Sequence, residues 1–217
     1  MSITRHPDTA WLVDYANGTL SPGFELLLSA HLAACTSCAQ ELQLAEQLGA
    51  ELMLGSPARP IQLTAESIMD AEASDSAWVK PRTKLPASVN GVDLQALVAN
   101  YLDCGLSALS WRKAGRGLQI ARLRADQDER VLLLRAAPET VLPRHTHDGS
   151  ELTLVLKGAY FAGDAIYVAG DVEDADESVD HQPVVTRDGE CLCLAVTDAP
   201  LRFRSWLPRL AQGFLGI

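Results

Sequence analysis

HLAACTSC, the stretch from His31 to Cys38, decides how the N-terminal third of this 217-residue chain folds. Its histidine and two cysteines are spaced four and then three residues apart, so on a helix they share one face. Imidazole and thiolate together suit a tetrahedral zinc ion, and His6 supplies a further imidazole upstream. The set His6, His31, Cys35 and Cys38 predicts a structural zinc site, because it leaves no coordination position open.

Short helices are predicted around this motif. Stretch 8–18 has apolar residues at helical spacing, an acidic residue that can cap its start and a glycine that can end it. A second helix is expected over about 22–34, with Ser21 as its N-cap and a proline in its first turn. A third, solvent-facing helix follows the cysteines and stops at Gly55, and a marginal fourth is predicted over 64–72.

The second half of the chain changes to short β-prone runs separated by Gly, Asp and Pro. These runs begin at residues 107, 118, 130, 151, 165, 183, 190 and 201. Many short strands at regular spacing are typical of an antiparallel β-barrel or sandwich. The sequence therefore predicts an α+β protein in two domains: a zinc-bound helical bundle at 1–75, a linker at 76–92 and a β domain at 93–217.

A second cluster of metal ligands lies in the β region. Side chains alternate along a strand, so His145 and His147 face the same side. Glu151 can fold back towards them after the predicted turn at residues 148–150. His181 is the candidate for a fourth ligand. Imidazole and carboxylate accept zinc and other divalent metals, so the sequence does not choose the ion. The alternative to a metal site is a set of surface histidines in a loop. The acidic run at 171–180, just before His181, is predicted to be a solvated loop.

Cys191 and Cys193 alternate in a predicted strand and therefore face the same way. Two interpretations stay open for this pair. Free cysteines are often small buried apolar residues, but a reactive, sensing pair beside the second metal is also compatible with the sequence. The odd total of five cysteines argues against a disulfide scaffold.

Composition limits the function classes. The formal net charge of −10 disfavours direct nucleic-acid binding, which needs clustered Lys and Arg, and fits a basic protein partner better. The sequence shows no secretion signal and no apolar run long enough to span a membrane, so we expect a cytoplasmic location and no membrane partner.

Both motifs resemble known families. The HxxxCxxC pattern after ANGTLSP is similar to the zinc-binding anti-sigma factors, and HxHxxxE followed by Gly158 resembles the first cupin motif, with Glu139 where that motif usually has glycine. A zinc-binding anti-sigma domain followed by a cupin resembles one subfamily in particular, the ChrR-type anti-sigma factors. The pair Cys191 and Cys193 also fits the C-terminal domain of that subfamily.

This resemblance implies a regulator. The helical domain would sequester a sigma factor of the extracytoplasmic-function type, in a 1:1 complex. The cupin domain would sense an oxidative signal such as singlet oxygen and release the sigma factor. The alternative is a metal-dependent cupin enzyme, a dioxygenase or isomerase. A DNA-binding zinc finger is disfavoured, because the chain has one CxxC pair and no basic recognition helix.

Overall fold

The structure, a computed structural model, describes residues 3–57, 91–125 and 129–203. The helix predicted at 64–72 lies outside these residues, as does nearly all of the predicted linker at 76–92. Within the described residues the α-helices are α1 (Thr9–Asn17), α2 (Pro22–Ala34), α3 (Thr36–Gly55) and α4 (Leu94–Tyr101). A 3-10 helix follows α4 at Leu106–Ala108.

The β part follows these helices and is entirely antiparallel. Its strands are β1 (Arg112–Gly115), β2 (Leu118–Ala125), β3 (Arg130–Ala136), β4 (His145–His147), β5 (Glu151–Lys157), β6 (Ala159–Ala162), β7 (Ala165–Val168), β8 (Val172–Ala175), β9 (Asp180–His181), β10 (Val184–Val185), β11 (Cys191–Thr197) and β12 (Leu201–Phe203). They form a six-stranded sheet, β1-β2-β3-β11-β5-β8, and two three-stranded sheets, β10-β6-β7 and β12-β4-β9. The prediction of a helical part followed by an antiparallel β domain is confirmed.

The central strands β5 and β11 are buried on both faces. One face, with Leu152, Leu154 and Leu194, belongs to the same apolar core as the helices α1 to α4. The other face, with Val155 and Cys193, packs against β6 and β10 inside the β part. The helices and the β part therefore share one hydrophobic core.

The caps of the first two helices differ in origin. α1 begins as predicted, with the Asp8 carboxylate accepting the N–H of Ala10, and ends at Gly18 in the left-handed conformation. Ser21 stands at the N-cap of α2 and a proline follows it, as predicted, but the Ser21 side chain makes no capping hydrogen bond. The carboxylate of Glu129, just before β3, accepts the N–H of Gly23 instead. Its proximity could not be predicted, since Glu129 comes from the β part.

Two elements were not foreseen. α4 was missed, although Asp93 caps it by accepting the N–H groups of Gln95 and Ala96. The acidic run at 171–180 is not the solvated loop that was predicted, because it contains strand β8, with Glu173 buried. Pairing with β5 orders this acidic segment against one edge of the main sheet.

Two candidate metal centres

The first centre brings together the four residues predicted from the HxxxCxxC motif. His6 lies in the segment before α1, and His31 lies in the last turn of α2. Cys35 stands between α2 and α3, and Cys38 lies in the first turn of α3. Their four ligand atoms all lie within 4.8 Å of one another, and all but His6 are buried.

The distances in this centre match what a tetrahedral ion requires. Nδ1 of His6 lies 3.4 Å from Sγ of Cys35 and 3.3 Å from Sγ of Cys38. Nε2 of His31 lies 3.3 Å from Sγ of Cys38. Zinc–nitrogen and zinc–sulfur bonds of ordinary length would separate a nitrogen from a sulfur ligand by about 3.5 Å. The residues present therefore fit a metal ion, and their softness favours zinc.

His31 is oriented by the β part of the chain. Its Nδ1 lies 2.9 Å from the carbonyl oxygen of Gly170, which can only accept a hydrogen bond. Nδ1–H must therefore be the donor, which leaves the lone pair of Nε2 directed at the cysteines. This is the usual way in which an outer hydrogen bond fixes the tautomer of a ligating histidine.

The two cysteines of the first centre shift each other's pKa in opposite directions. The pKa of Cys35 is lowered to about 3, chiefly because Cys38 donates a hydrogen bond to its sulfur. The same hydrogen bond raises the pKa of Cys38, because ionising it would place two thiolates side by side. Metal binding needs both thiolates, so it must displace the proton of Cys38.

The second centre brings together three histidines from the sheet β12-β4-β9. His145 and His181 are paired directly across the antiparallel strands β4 and β9, and His147 follows on the same side of β4. Their candidate ligand atoms lie within 4.8 Å of one another, and all three side chains are buried. His181, which belongs to no recognisable downstream motif, is thus placed in the site by strand pairing.

The imidazole Nε2 atoms converge on one point. Nε2 of His181 lies 3.0 Å from Nε2 of His145 and 3.3 Å from Nε2 of His147. Nδ1–H of His145 donates to the carbonyl of Pro143 at 2.9 Å, so its Nε2 is unprotonated in the neutral ring. Converging lone pairs of this kind fit a divalent cation, whose identity the ligand set leaves open.

Glu151 lies beside this centre but outside the group of three. Its Oε2 is 3.7 Å from Nδ1 of His147, which is the ring nitrogen opposite to the converging Nε2. Its other oxygen accepts the hydroxyl of Thr153 at 3.2 Å. Burial raises the pKa of Glu151 to about 7. Its assignment as a metal ligand stays a prediction.

Glu173 lies behind His181 in the second candidate centre and was missed in the sequence analysis. Its Oε1 accepts Nδ1–H of His181 at 2.9 Å, and its Oε2 accepts the hydroxyl of Tyr160 at 2.5 Å. A carboxylate behind a ligating histidine fixes the ring and raises its basicity. The residue could have been found only by knowing that β8 lies beside His181, since the acidic run around it hides its position.

Burial and the charge of Glu173 give the three histidines different pKa values. Burial lowers the pKa of His145 and of His147 to about 4, because it disfavours the charged ring. Burial alone would lower the pKa of His181 as well, but the hydrogen bond and charge of Glu173 raise it above its ordinary value. Two of the rings are therefore neutral and ready to bind metal at neutral pH.

Cys191 and Cys193 lie on the inner face of β11, buried, with their sulfur atoms 3.6 Å apart. The pKa of Cys193 is raised, mainly by its hydrogen bond with Cys191 and to a smaller extent by burial. Both cysteines pack in the cluster that contains Tyr160, whose hydroxyl contacts Glu173. The pair is thus buried, as one interpretation held. Tyr160 and Glu173 connect its cluster to His181, and a sensing role for the pair stays a prediction.

The cupin-like features of the backbone explain two sequence signals. Glu139, which stands where the cupin motif usually has glycine, adopts a positive φ of 59°. The chain thus keeps the left-handed turn that glycine favours. Gly158, between β5 and β6, has φ of 77°, and a Cβ there would overlap the carbonyl of Glu190. This position requires glycine.

Each centre borders a cavity. A cavity of about 590 Å³ reaches the first centre and is lined by His6, Cys35, Gly170 and residues 91–94 among others. A cavity of about 470 Å³ reaches His181 and Glu173 and includes Arg144 and Phe161 in its lining. Small molecules therefore have a route to a ligand of each centre.

Comparison with known proteins agrees with this arrangement. Residues 102–200 match the family model described as the ChrR cupin-like domain. The chain is 37% identical, over the full length of both proteins, to the anti-sigma-E factor ChrR of Cereibacter sphaeroides. It also resembles a crystal structure of Rhodobacter sphaeroides SigE in complex with the anti-sigma ChrR, with a TM-score of 0.70 and 31% identity over 91% of this chain and all of that chain. The chain belongs to the ChrR family of anti-sigma factors.

Proposed function

We propose that this protein binds a sigma factor of the extracytoplasmic-function type and keeps it from RNA polymerase. The observation that carries the proposal is the full-length similarity to the anti-sigma-E factor ChrR, together with the likeness to a crystal structure of SigE in complex with ChrR. The four-residue centre at the junction of α2 and α3 supports it, because a bound ion would join these two helices to the segment that leads into α1. We expect a 1:1 complex in the cytoplasm. The described residues contain no helix able to span a membrane.

The exposed side of α3 is the surface proposed for this partner. Leu44, Leu48 and Leu52 recur every four residues and are exposed by 65%, 62% and 66%, and Met53 is exposed by 78%. An exposed apolar stripe of this kind on a helix is typical of a protein interface. The partner should be a basic protein, because the chain carries a net charge of −10.

The two centres are proposed to have different roles. Zinc at His6, His31, Cys35 and Cys38 would stabilise the sigma-binding helices. Zinc or another divalent ion at the second centre would belong to a sensor, with His145, His147 and His181 as ligands and Glu151 beside them. An oxidative signal such as singlet oxygen, acting there or at Cys191 and Cys193, would loosen the complex. Cysteine side chains such as those of Cys191 and Cys193 are open to stepwise oxidation, first to sulfenic acid.

The alternative of a metal-dependent cupin enzyme has less support. The cavity beside His181 would admit a substrate, but the relatives that match the full chain are regulators. A dioxygenase or isomerase would also have no use for the zinc-binding helices. Turnover of a substrate by the purified protein would be needed to restore this alternative.

The direct test is affinity purification of the tagged full-length protein from its native host, followed by mass spectrometry. The expected result is one sigma factor in a 1:1 ratio. The matched control is the Leu48→Asp variant, which retains both metal centres but places a charge in the α3 stripe. A zinc-loaded, folded wild-type protein that captures no sigma factor would contradict the proposal.

A further inference from the structure

Residues 170–174 hold the first centre from the β side. The carbonyl of Gly170 orients His31, as described above. Asp171 is completely buried, and its Oδ1 accepts the backbone N–H groups of Thr4 at 2.7 Å and Arg5 at 3.0 Å. These two residues directly precede His6. The segment therefore contacts the ring of one candidate ligand and the backbone beside another.

The same segment extends this contact along the N-terminal stretch. The N–H of Val172 donates to the carbonyl of Arg5 at 3.2 Å. Oδ2 of Asp174 accepts the N–H of Asp8 at 3.0 Å and the indole N–H of Trp11 at 3.1 Å. The chain on both sides of His6 is thus bound to β8, which is an edge strand of the main sheet.

Between these contacts, Glu173 faces the second centre. Neighbouring side chains on a strand point to opposite faces, so Asp174 meets the helices while Glu173 enters the β interior and accepts Nδ1–H of His181. A shift of the strand by a fraction of an ångström would disturb both sets of hydrogen bonds, since donor–acceptor geometry tolerates little displacement.

We propose that residues 170–174 are positioning residues for both metal centres and couple the two ions energetically, so that loss of the ion held by His145, His147 and His181 weakens metal binding at His6, His31, Cys35 and Cys38. A bound ion at the second centre fixes His181, and through it Glu173 and β8. The fixed strand in turn presents the Gly170 carbonyl and the Asp171 carboxylate to the first centre. Partners behind metal ligands typically change metal affinity by about 10- to 100-fold.

Cobalt(II) provides a probe that sees the first centre alone. Thiolate-to-cobalt charge transfer requires a cysteine ligand, and the second group of candidate ligands contains only histidines. The dissociation constant of cobalt at the first centre is measured by competition with a chelator, on the full-length protein without a sigma factor. We compare wild type with His147→Ala, which disables the second centre.

The expected result is that His147→Ala weakens cobalt binding at the first centre by at least about fivefold, the lower end of ordinary coupling between sites. In an Asp174→Asn background, or in Asp171→Asn, the same substitution should have a smaller effect. Asp164→Asn is the matched control, because Asp164 is an exposed carboxylate in the turn between β6 and β7. This control should leave the effect unchanged.

A reciprocal measurement keeps the test decisive if one variant folds poorly. Coupling between the two bound ions is mutual. Cys35→Ala, which disables the first centre, should therefore weaken metal binding at the second centre by a comparable factor. Equal first-centre affinities in wild type and His147→Ala would overturn the proposal, as would coupling that survives intact in both aspartate variants. The role of this coupling in sigma release rests on the proposed function, but the measurement uses no sigma factor, so either can fail without the other.

Discussion

The carboxylate of Glu129 accepts the backbone N–H of Gly23 at 3.0 Å, across 106 residues of sequence. It also accepts the hydroxyl of Ser21. A β-part carboxylate therefore caps α2, the helix that carries His31 in its last turn. A negative charge at a helix N-terminus is favourable because it meets the unpaired N–H groups and the positive end of the helix dipole.

Removing this charge should loosen the contact between the helices and the sheet. Glu129→Gln is expected to lower the free energy of unfolding by about 1–2 kcal/mol, the usual size of a cap and dipole contribution. Urea denaturation of the metal-loaded protein measures the effect. Glu177→Gln removes an exposed carboxylate and is the control. Equal midpoints for the two variants would show that the cap contributes nothing.

Gly23→Ala tests the same junction sterically. A Cβ at residue 23 would overlap side-chain atoms of Val131 and Glu129. Alanine is a better helix former than glycine, so an isolated helix would gain stability. We expect instead a loss of about 1–3 kcal/mol, as is usual for overpacking. Thermal unfolding gives the sign, and a more stable variant would contradict the close approach of α2 and β3.

The cysteines of the first centre should be needed both for metal and for the partner. Cys35→Ala removes one thiolate, so we expect loss of stoichiometric zinc at that centre and of sigma-factor binding. Cys104→Ala is the matched control, because Cys104 belongs to neither candidate centre and is half-buried. Zinc content and binding isotherms measure the two effects. Sigma binding by zinc-free Cys35→Ala would refute the structural role of this ion.

The second centre should affect the response more than the binding. In His147→Ala we expect a measurable sigma complex whose dissociation no longer accelerates under a dye that generates singlet oxygen. The physical reason is that His147 contacts the other histidines and no residue of the α3 stripe. Fluorescence anisotropy of a labelled sigma factor follows dissociation. A variant that responds like wild type would remove the second centre from sensing.

The α3 stripe should contribute to the affinity for the sigma factor but not to the stability of the fold. Leu48→Asp places a charge in the middle of an exposed apolar surface, so we expect sigma affinity to fall by at least about 30-fold, equivalent to about 2 kcal/mol at a central contact. Ile166→Asp on β7 is the control, since Ile166 is also exposed, by 43%. Unchanged binding by Leu48→Asp, with an intact melting curve, would exclude this surface.

Without a bound metal, the three histidines of the second centre should titrate at different pH values. Burial keeps His145 and His147 neutral until the pH falls to about 4, whereas Glu173 raises the pKa of His181. Between pH 6.5 and 4, His145 and His147 bind protons in the unfolded chain but stay neutral in the native protein. The contribution of these two rings to the free energy of unfolding therefore falls as the pH is lowered. Nitrogen-15 NMR of the imidazoles measures each titration. In Glu173→Gln, His181 should titrate at lower pH than in wild type.

Local sequence patterns were sufficient for the first centre. His31, Cys35 and Cys38 lie within eight residues, so the last turn of α2, the junction at Cys35 and the first turn of α3 keep them close together. The caps at Asp8 and Gly18 and the strands β2 and β11 were predicted for the same reason, because their signals lie within one element. The pair His145 and His147 likewise needed only the alternation of a strand.

Contacts between distant segments could not be predicted in this way. Ser21 is the N-cap residue of α2, but the capping carboxylate is that of Glu129, which approaches from the β part. The prediction of an acidic loop was wrong because Val172–Ala175 pairs with β5 as an edge strand. Which side chains of an acidic run are buried depends on the strand that pairs with the run. The residue pattern within the run does not reveal which strand that is.

The sequence by itself determined the ligand chemistry of both centres, the order of the helical and β parts and the apolar stripe of α3, since each depends on residue type and short spacing. Only the tertiary structure decided that His181 completes the second group, that Glu173 supports it and that Gly170 and Asp171 hold the first. In the second group, strand pairing joins His145 and His181 across 36 positions. At the first centre, the N-terminal segment and α2 meet residues 170 and 171, which are more than a hundred positions away in the chain.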